Sequence, residues 1–395
     1  MALTDFLHGC EVLEINNGAR PIKVVKSSVI GLVGTAPDAD NTVFPENEPV
    51  LIAGSQLKAA KLGTSGTLPD AIDGIFDHGG ATIVVVRVPE GADTEATISN
   101  IVGSGANHSG VHAFLAAESE VHVTPRILIA PGFTSQRISN AANPVVSELV
   151  GICDRTRAVT IADGPNTTNE AAVAYREDFG SGRVYVVDPP CMVWDTTLNK
   201  NICKPVSSRV AGRISYTDSK HGYWWSPSNQ LLNGVAGIAR PIQFSMNDEN
   251  SESNYLNSHE VATVVHHKGY RLWGNRTCAT DPLWQFLAVR RTHDMVYESI
   301  EEAMLWAIDR PYSAQLLRDV AKSVNKFLRH QTNLGALLGG KCWLDPELNS
   351  PEQFREGRSW YDFDNEAPAP AERMTFRAHR NGNYYNEMVT KAIAA

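Results

Sequence analysis

The sequence predicts an α/β fold built on a largely parallel sheet, followed by a smaller α+β unit. Three observations carry this. The runs Ile83-Val84-Val85-Val86 and Val184-Tyr185-Val186-Val187 are apolar throughout, as strands covered on both faces require. Helix-length segments separate such runs, and alternating strand and helix signals favour parallel strands joined by helical crossovers. After Asp281-Pro282 the alternation gives way to two long helical patterns.

Taken in order, residues 1–20 read as an N-terminal arm. Val12, Leu13 and Ile15 form a short apolar alternation ended by the turn signal Asn16-Asn17-Gly18, so the arm could extend as a strand. Residues 21–280 form the α/β domain. Its predicted strands are Ser28–Val33, Ala81–Val88, Arg126–Ala130, Ala158–Ala162, Arg183–Asp188 and Val261–His266. Its predicted helices are Leu68–Asp77, Asn143–Arg155 and Thr168–Phe179, the last preceded by capping oxygens. Residues 90–124, rich in Gly, Ser, Ala and His, read as an insertion or peripheral lobe. Residues 191–223 read as irregular. Gly31-Leu32-Val33-Gly34 lacks the third glycine of a dinucleotide fingerprint and reads as a tight turn.

Residues 281–360 form the C-terminal α+β domain. Trp284–Arg291 is a predicted strand. Thr292–Asp309 is a predicted helix with Val296, Ile300, Ala303, Met304, Ala307 and Ile308 on one face, closed by Arg310-Pro311. A second helix is predicted over Tyr312–His330. Residues 361–395 form a C-terminal arm. Ala367-Pro368-Ala369-Pro370 is a stiff linker, and Met374, Phe376 and Ala378 then alternate with polar residues at the period of a strand. No partner strand lies nearby in sequence, so this segment suits addition to another subunit's sheet edge.

Composition narrows the function. The chain of 395 residues has 43% hydrophobic and 20% charged residues and a formal net charge of −9, a poor basis for binding nucleic acid. Six cysteines are scattered with no C-x-x-C pair, which points to reduced, mostly buried thiols. Met1–Cys10 lacks a signal-peptide pattern, and no apolar run approaches the roughly 20 residues of a membrane span. Neither secretion nor membrane insertion is expected, and assembly in a cytoplasm is.

Candidate chemistry is sparse. Asp163 and Asp188 follow predicted parallel strands, where α/β enzymes place their ligands, and could hold a metal. Asp, Gly, Pro and Asn are also ordinary turn formers, and that reading is preferred. His259-Glu260 lacks a second histidine one helical turn on, so a zinc-protease site is not expected. There is no P-loop and no nucleophile elbow, and no cofactor is expected. On the helix over 312–330, Arg318, Lys322, Lys326 and Arg329 share the side opposite the apolar stripe, a basic ridge suited to an acidic partner. The run Gly269–Thr277 packs Tyr270, Arg271, Trp273 and Arg276 between glycines with no catalytic group, and reads as a docking turn at the domain junction.

Several segments in order resemble the tail sheath family of contractile bacteriophages and R-type pyocins. They are His8-Gly9 with Glu14-Ile15-Asn16, the stretch Asp163–Tyr175 beginning Asp-Gly-Pro-Asn, Trp225-Ser226-Pro227-Ser228-Asn229-Gln230 with Asn233-Gly234-Val235, and Gly269–Thr277 through Asp281-Pro282. The resemblance implies a subtilisin-like α/β domain without protease activity. It implies a subunit that polymerises with itself as stacked hexameric rings around an inner tail tube and contracts to drive the tube through the bacterial envelope. It further implies baseplate and tail terminator proteins as partners, a place in the virion tail, and assembly in the host cytoplasm. In that family the C-terminal domain faces the tube, which makes Arg318, Lys322, Lys326 and Arg329 the candidate tube contact. Val12, Ile15, Met374, Phe376 and Ala378 become candidates for strands exchanged between subunits. Two rival readings are an α/β enzyme using Asp163 and Asp188, and a type VI secretion sheath component.

Overall fold

A computed structural model of the chain describes residues 22–394 except Val25 and Ser55. The expected arm over 1–20, with Val12 and Ile15, lies outside the described residues.

The described part opens on β1 (Ile30–Thr35), β2 (Pro49–Ala53), the short α1 (Gln56–Ala59), α2 (Leu68–Phe76) and β3 (Thr82–Val88). Next come α3 (Thr94–Val102), a 3-10 stretch Gly110–Ala116, α4 (Ala117–Val121), β4 (Ile127–Ile129), α5 (Pro144–Thr156), β5 (Val159–Asp163), α6 (Asn169–Glu177) and β6 (Val184–Val187). A hairpin of β7 (Cys191–Asp195) and β8 (Lys200–Lys204) leads to α7 (Ser207–His221), β9 (Gly237–Ile238), α8 (Glu252–Ser258), β10 (Val261–His266) and β11 (Tyr270–Trp273). The main sheet has the order β11-β10-β6-β5-β4-β1-β3-β2. From β10 to β3 every pairing is parallel, and antiparallel β11 and β2 close the edges.

Strand side chains alternate between faces, and both faces here are buried. Ile30, Leu32, Ile83 and Val85 pack with Ile72 and Ile75 of α2 and Val210 and Ile214 of α7. Val33, Val84, Val86 and Leu128 pack the other face with α3, α5 and the 3-10 stretch. Helix starts follow their caps. Asn143 accepts from the amides of Val145 (2.9 Å) and Val146 (3.1 Å), and Thr168 from that of Ala171 (3.1 Å).

Four expectations need correction here. Gly31 and Gly34 lie inside β1, not in a turn; a Cβ at Gly31 would sit 2.6 Å from Leu128, so glycine permits close packing. Residues 90–124 are no peripheral lobe, because Ile98, Ile101, Val111 and Phe114 are buried against the sheet. Its small and polar residues masked an interior face carried by a few large ones. Residues 191–223 are regular, forming β7, β8 and α7. Finally, Trp284–Arg291 is not a strand: Pro282–Trp284 is a 3-10 turn and helix α9 covers Leu287–Met304. Leu287, Ala288, Val289, Arg291 and Thr292 are all buried there, and a short run buried all round carries no usable period.

The C-terminal unit continues with α10 (Ala314–Leu334), β12 (Gly339–Leu344), α11 (Pro351–Arg355), β13 (Tyr361–Glu366) and α12 (Asn383–Ile393). Val289 and Val296 of α9 meet Val324, Phe327 and Leu328 of α10 over Cys342. Ion pairs join α9 to the α/β body: Arg126–Glu298, Arg157–Glu301 (2.5 Å), Arg183–Asp294 (2.9 Å) and Arg291–Asp218 (2.6 Å). Among the described residues, 374–380 pair with no strand, and α12 had no counterpart in the sequence reading.

Candidate assembly interface

Helix α10 is built to show one charged face. Ser313 caps the amide of Leu316 at 3.0 Å, and Gly335, at φ 81°, ends the helix. Val320, Val324, Phe327 and Leu328 turn inward, which leaves Arg318, Lys322, Lys326 and Arg329 exposed together. The nearest acid in sequence, Asp319, accepts from Gln315 at 2.7 Å, and Arg318 donates to the same Gln315 at 3.3 Å. Among the described residues no carboxylate forms an ion pair with any of the four. The ridge therefore presents uncompensated positive charge on a chain of net charge −9.

The C-terminal segment is held at its root and exposed beyond it. Glu372 accepts from Arg276 Nη2 at 2.7 Å and Nε at 3.1 Å, and Arg373 pairs with Glu249 at 3.2 Å. Beyond this point Met374 is 73% exposed and Phe376 89% exposed, and Ala378 is exposed too. A phenyl ring left in water forgoes about 1.5–3 kcal/mol of burial, so a segment of this kind is suited to a partner. Helix α12 follows with Tyr385, Met388, Val389 and Ile393 exposed and no buried residue.

The aromatic-arginine run divides in two. Tyr270, Arg271 and Trp273 lie on the edge strand β11, paired with β10. Trp273 packs edge-on against Phe244 at 4.9 Å, and Arg271 donates to the carbonyls of His267 (2.9 Å) and Asn229 (2.7 Å). At Gly274 (φ 147°) a Cβ would meet Ala262 Cα at 2.7 Å. Arg276 lies beyond the strand, stacks over Phe286 at 5.8 Å and holds the root of the C-terminal segment. The link to Glu372 had no sequence signal, since the two residues are 96 apart.

The strand-end aspartates are committed to the fold. Asp163 is buried and accepts from Val206 N (2.8 Å), Ser207 N (2.9 Å), Ser207 Oγ (2.6 Å) and Thr134 Oγ1 (3.4 Å). Burial pushes its carboxyl up, and these hydrogen bonds oppose that shift. It thereby caps the start of α7. Asp188, likewise raised by burial, accepts from Asn166 N (2.8 Å) and pairs with Arg240. Among the described residues no cluster of His, Cys, Asp and Glu has metal-binding geometry.

Three sequence profiles cover nearly all of the described chain. Residues 27–88 match the N-terminal region of domain III of the tail sheath protein Gp18, residues 106–278 the phage tail sheath protein central domain, and residues 279–380 the phage tail sheath C-terminal domain. A prophage major tail sheath protein of Pseudomonas aeruginosa strain UCBPP-PA14 is 36% identical over 391 residues, 98% of this chain and 100% of the relative. The chain belongs to the phage tail sheath protein family. The tail sheath protein of Escherichia phage P2 is 34% identical, covering 98% of this chain and 99% of its own. The fold agrees with solved sheath structures. The contracted helical sheath of the anti-feeding prophage aligns with a TM-score of 0.70 at 20% identity, covering 96% of this chain and 100% of that one. The contracted sheath complex of the extracellular injection system PVC gives 0.69 at 18%, covering 97% and 100%.

Membership makes this sheath protein a structural component of a contractile virion tail and not an enzyme. The rival enzyme reading of Asp163 and Asp188 is thereby overturned, and the geometry gives the reason: both carboxylates serve to fix loops and a helix start. No helix among the described residues is long and apolar enough to cross a membrane.

Proposed function

We propose that copies of this sheath protein polymerise as stacked hexameric rings around an inner tail tube, and that contraction of the sleeve drives the tube through the bacterial envelope. The observation that carries the reading is the exposed segment Met374–Arg380, an alternating apolar pattern with no strand partner among the described residues, rooted at Arg276. Head-to-tail contacts between identical subunits generate rings or open helices. Strands exchanged through the arms at 1–20 and 361–395 keep copies attached while the bodies of 21–280 and 281–360 rotate. The α/β body serves as a subtilisin-like scaffold, and Gly269–Thr277 as the passage between the two bodies. The ridge Arg318, Lys322, Lys326 and Arg329 faces the tube. Contraction needs no nucleotide if the extended packing is kinetically trapped above the contracted one. One similar solved structure is that of the anti-feeding prophage baseplate; baseplate and terminator proteins are the expected end partners, with assembly in the host cytoplasm. Electron microscopy of the full chain, alone and co-expressed with its tube protein, tests this. Sleeves or ring stacks are expected, and a monodisperse globular particle would overturn it.

A further inference from the structure

The main sheet reverses its winding between β1 and β4. β3 and β2 lie on one side of β1, while β5, β6 and β10 follow β4 on the other. In open α/β sheets the crevice beyond the carboxyl ends of two such strands is where a ligand fits. A cavity lies at this place, with about 350 Å³ of empty space including its opening to solvent. Its lining takes Thr67, whose hydroxyl is tied to Thr35 N at the end of β1, and Pro131, just past β4. Lys204, Ser208 and Arg209 join them from the end of β8 and the start of α7.

This lining is rich in donors. The first amides of a helix have no acceptor within the helix. In α7 the carboxylate of Asp163 takes those of Val206 and Ser207, and Val210 N bonds to Val206 O at 3.0 Å. Between them, the amides of Ser208 and Arg209 meet no acceptor among the described residues, although these two residues are only 2% and 4% exposed. The Arg209 side chain donates to Asp77 from Nη2 at 3.0 Å, and its buried Nε has no partner. The lining holds one carboxylate, Asp70, which pairs with Lys204. Buried donors without acceptors are rare in folded chains. Two cations beside the start of a 15-residue helix favour a negative charge in the space between them.

We infer that this cavity binds a small tetrahedral oxyanion of the phosphate class, held by the amides of Ser208 and Arg209 and by Lys204. The bound anion ties the start of α7 to the start of α2. Asp70 competes with it for Lys204, so the site is tuned to release its ligand readily. Nothing in this depends on the terminal arms or on the tube.

Calorimetry of the full chain with inorganic phosphate, against chloride at matched ionic strength, tests the site. A saturable heat is expected, with a Kd of about 1 mM or tighter. Lys204→Met is expected to weaken binding at least about tenfold, and Asp70→Asn to tighten it. Side chains 204 and 70 are 23% and 52% exposed, so both variants should keep the fold, checked by circular dichroism in phosphate-free buffer. Phosphate is also expected to slow amide exchange across residues 206–210 of the unaltered protein, a readout that needs no substitution. No saturable heat, unchanged affinity in Lys204→Met, weaker binding in Asp70→Asn, or protection confined to other segments would each overturn the assignment.

Discussion

Arg291 of α9 and Asp218 of α7 meet in a bidentate pair, Nη1 to Oδ1 at 3.0 Å and Nη2 to Oδ2 at 2.6 Å, with side chains only 5% and 3% exposed. Ser27 completes the knot, its Oγ donating to Asp218 at 2.9 Å and its carbonyl accepting from Arg291 at 3.2 Å. Removing one partner strands a buried charge. Asp218→Asn is expected to destabilise the chain by about 3–5 kcal/mol, measured as a shift of the urea midpoint. A loss below about 1 kcal/mol would show that water reaches the pair.

His78 makes the fold sensitive to acid. Its Nε2 accepts from Asn233 N at 3.0 Å, so Nδ1 carries the proton and faces the carbonyl of Gly74 at 3.3 Å. Burial, with Arg213 beside it, pushes the imidazole down to about 3. Since the unfolded value is near 6.5, the unfolded chain binds more protons between these limits, and stability rises with pH across them. The contribution is full above about pH 6.5 and is lost as pH falls toward 3. His78→Gln is expected to lower stability at pH 7 and to flatten its fall between pH 6 and 4. Parallel pH profiles for the two proteins would contradict this.

The ridge on α10 allows a separation of folding from assembly. Lys322 and Lys326 are exposed and make no ion pair among the described residues. The double reversal Lys322→Glu with Lys326→Glu is expected to change stability by no more than about 0.5 kcal/mol. The same protein should assemble poorly on tubes, with the defect deepest at low salt, where exposed charges reach furthest. Normal sleeves on tubes at every salt concentration would remove the ridge from the tube contact.

Thiol chemistry reports packing directly. Burial pushes Cys191 and Cys342 up to about 11 and Cys278 to about 12, and pushes Cys153 up as well. Reaction with a maleimide at neutral pH is therefore expected at Cys203 and at none of these four, read by peptide mass mapping. Rapid labelling of Cys278 would mean that the cluster around Tyr175 and Leu256 opens readily.

Strand placement was legible wherever burial was two-sided. Val261–His266 was predicted with its observed ends, and Thr82–Val88 lies one residue inside its predicted limits. Helices with a cap and a clear stripe, such as α5 and α6, were equally visible. The failures share a cause. Helix α9 begins among residues buried on all sides, where Arg291 and Asp294 are held by ion pairs that sequence cannot show. The layer over 90–124 hides a few large anchors among small residues. At the candidate interface, the alternation of Met374, Phe376 and Ala378 is visible in the sequence, whereas the Arg276–Glu372 tie depends on a contact across 96 positions.

The stretch Ala367-Pro368-Ala369-Pro370 has a geometric consequence. Ala367 is buried at its start and Glu372 is clasped near its end, with two ring-locked φ angles between them. Residues in this state advance about 3.1 Å each, so the four span roughly 12 Å and resist both stretching and folding. In a polymer linked through the segment beyond it, such a tether behaves as a strut. It would hold the separation of joined copies nearly constant while leaving their mutual angle free, so a change in sleeve length would have to come from rotation about fixed-length struts.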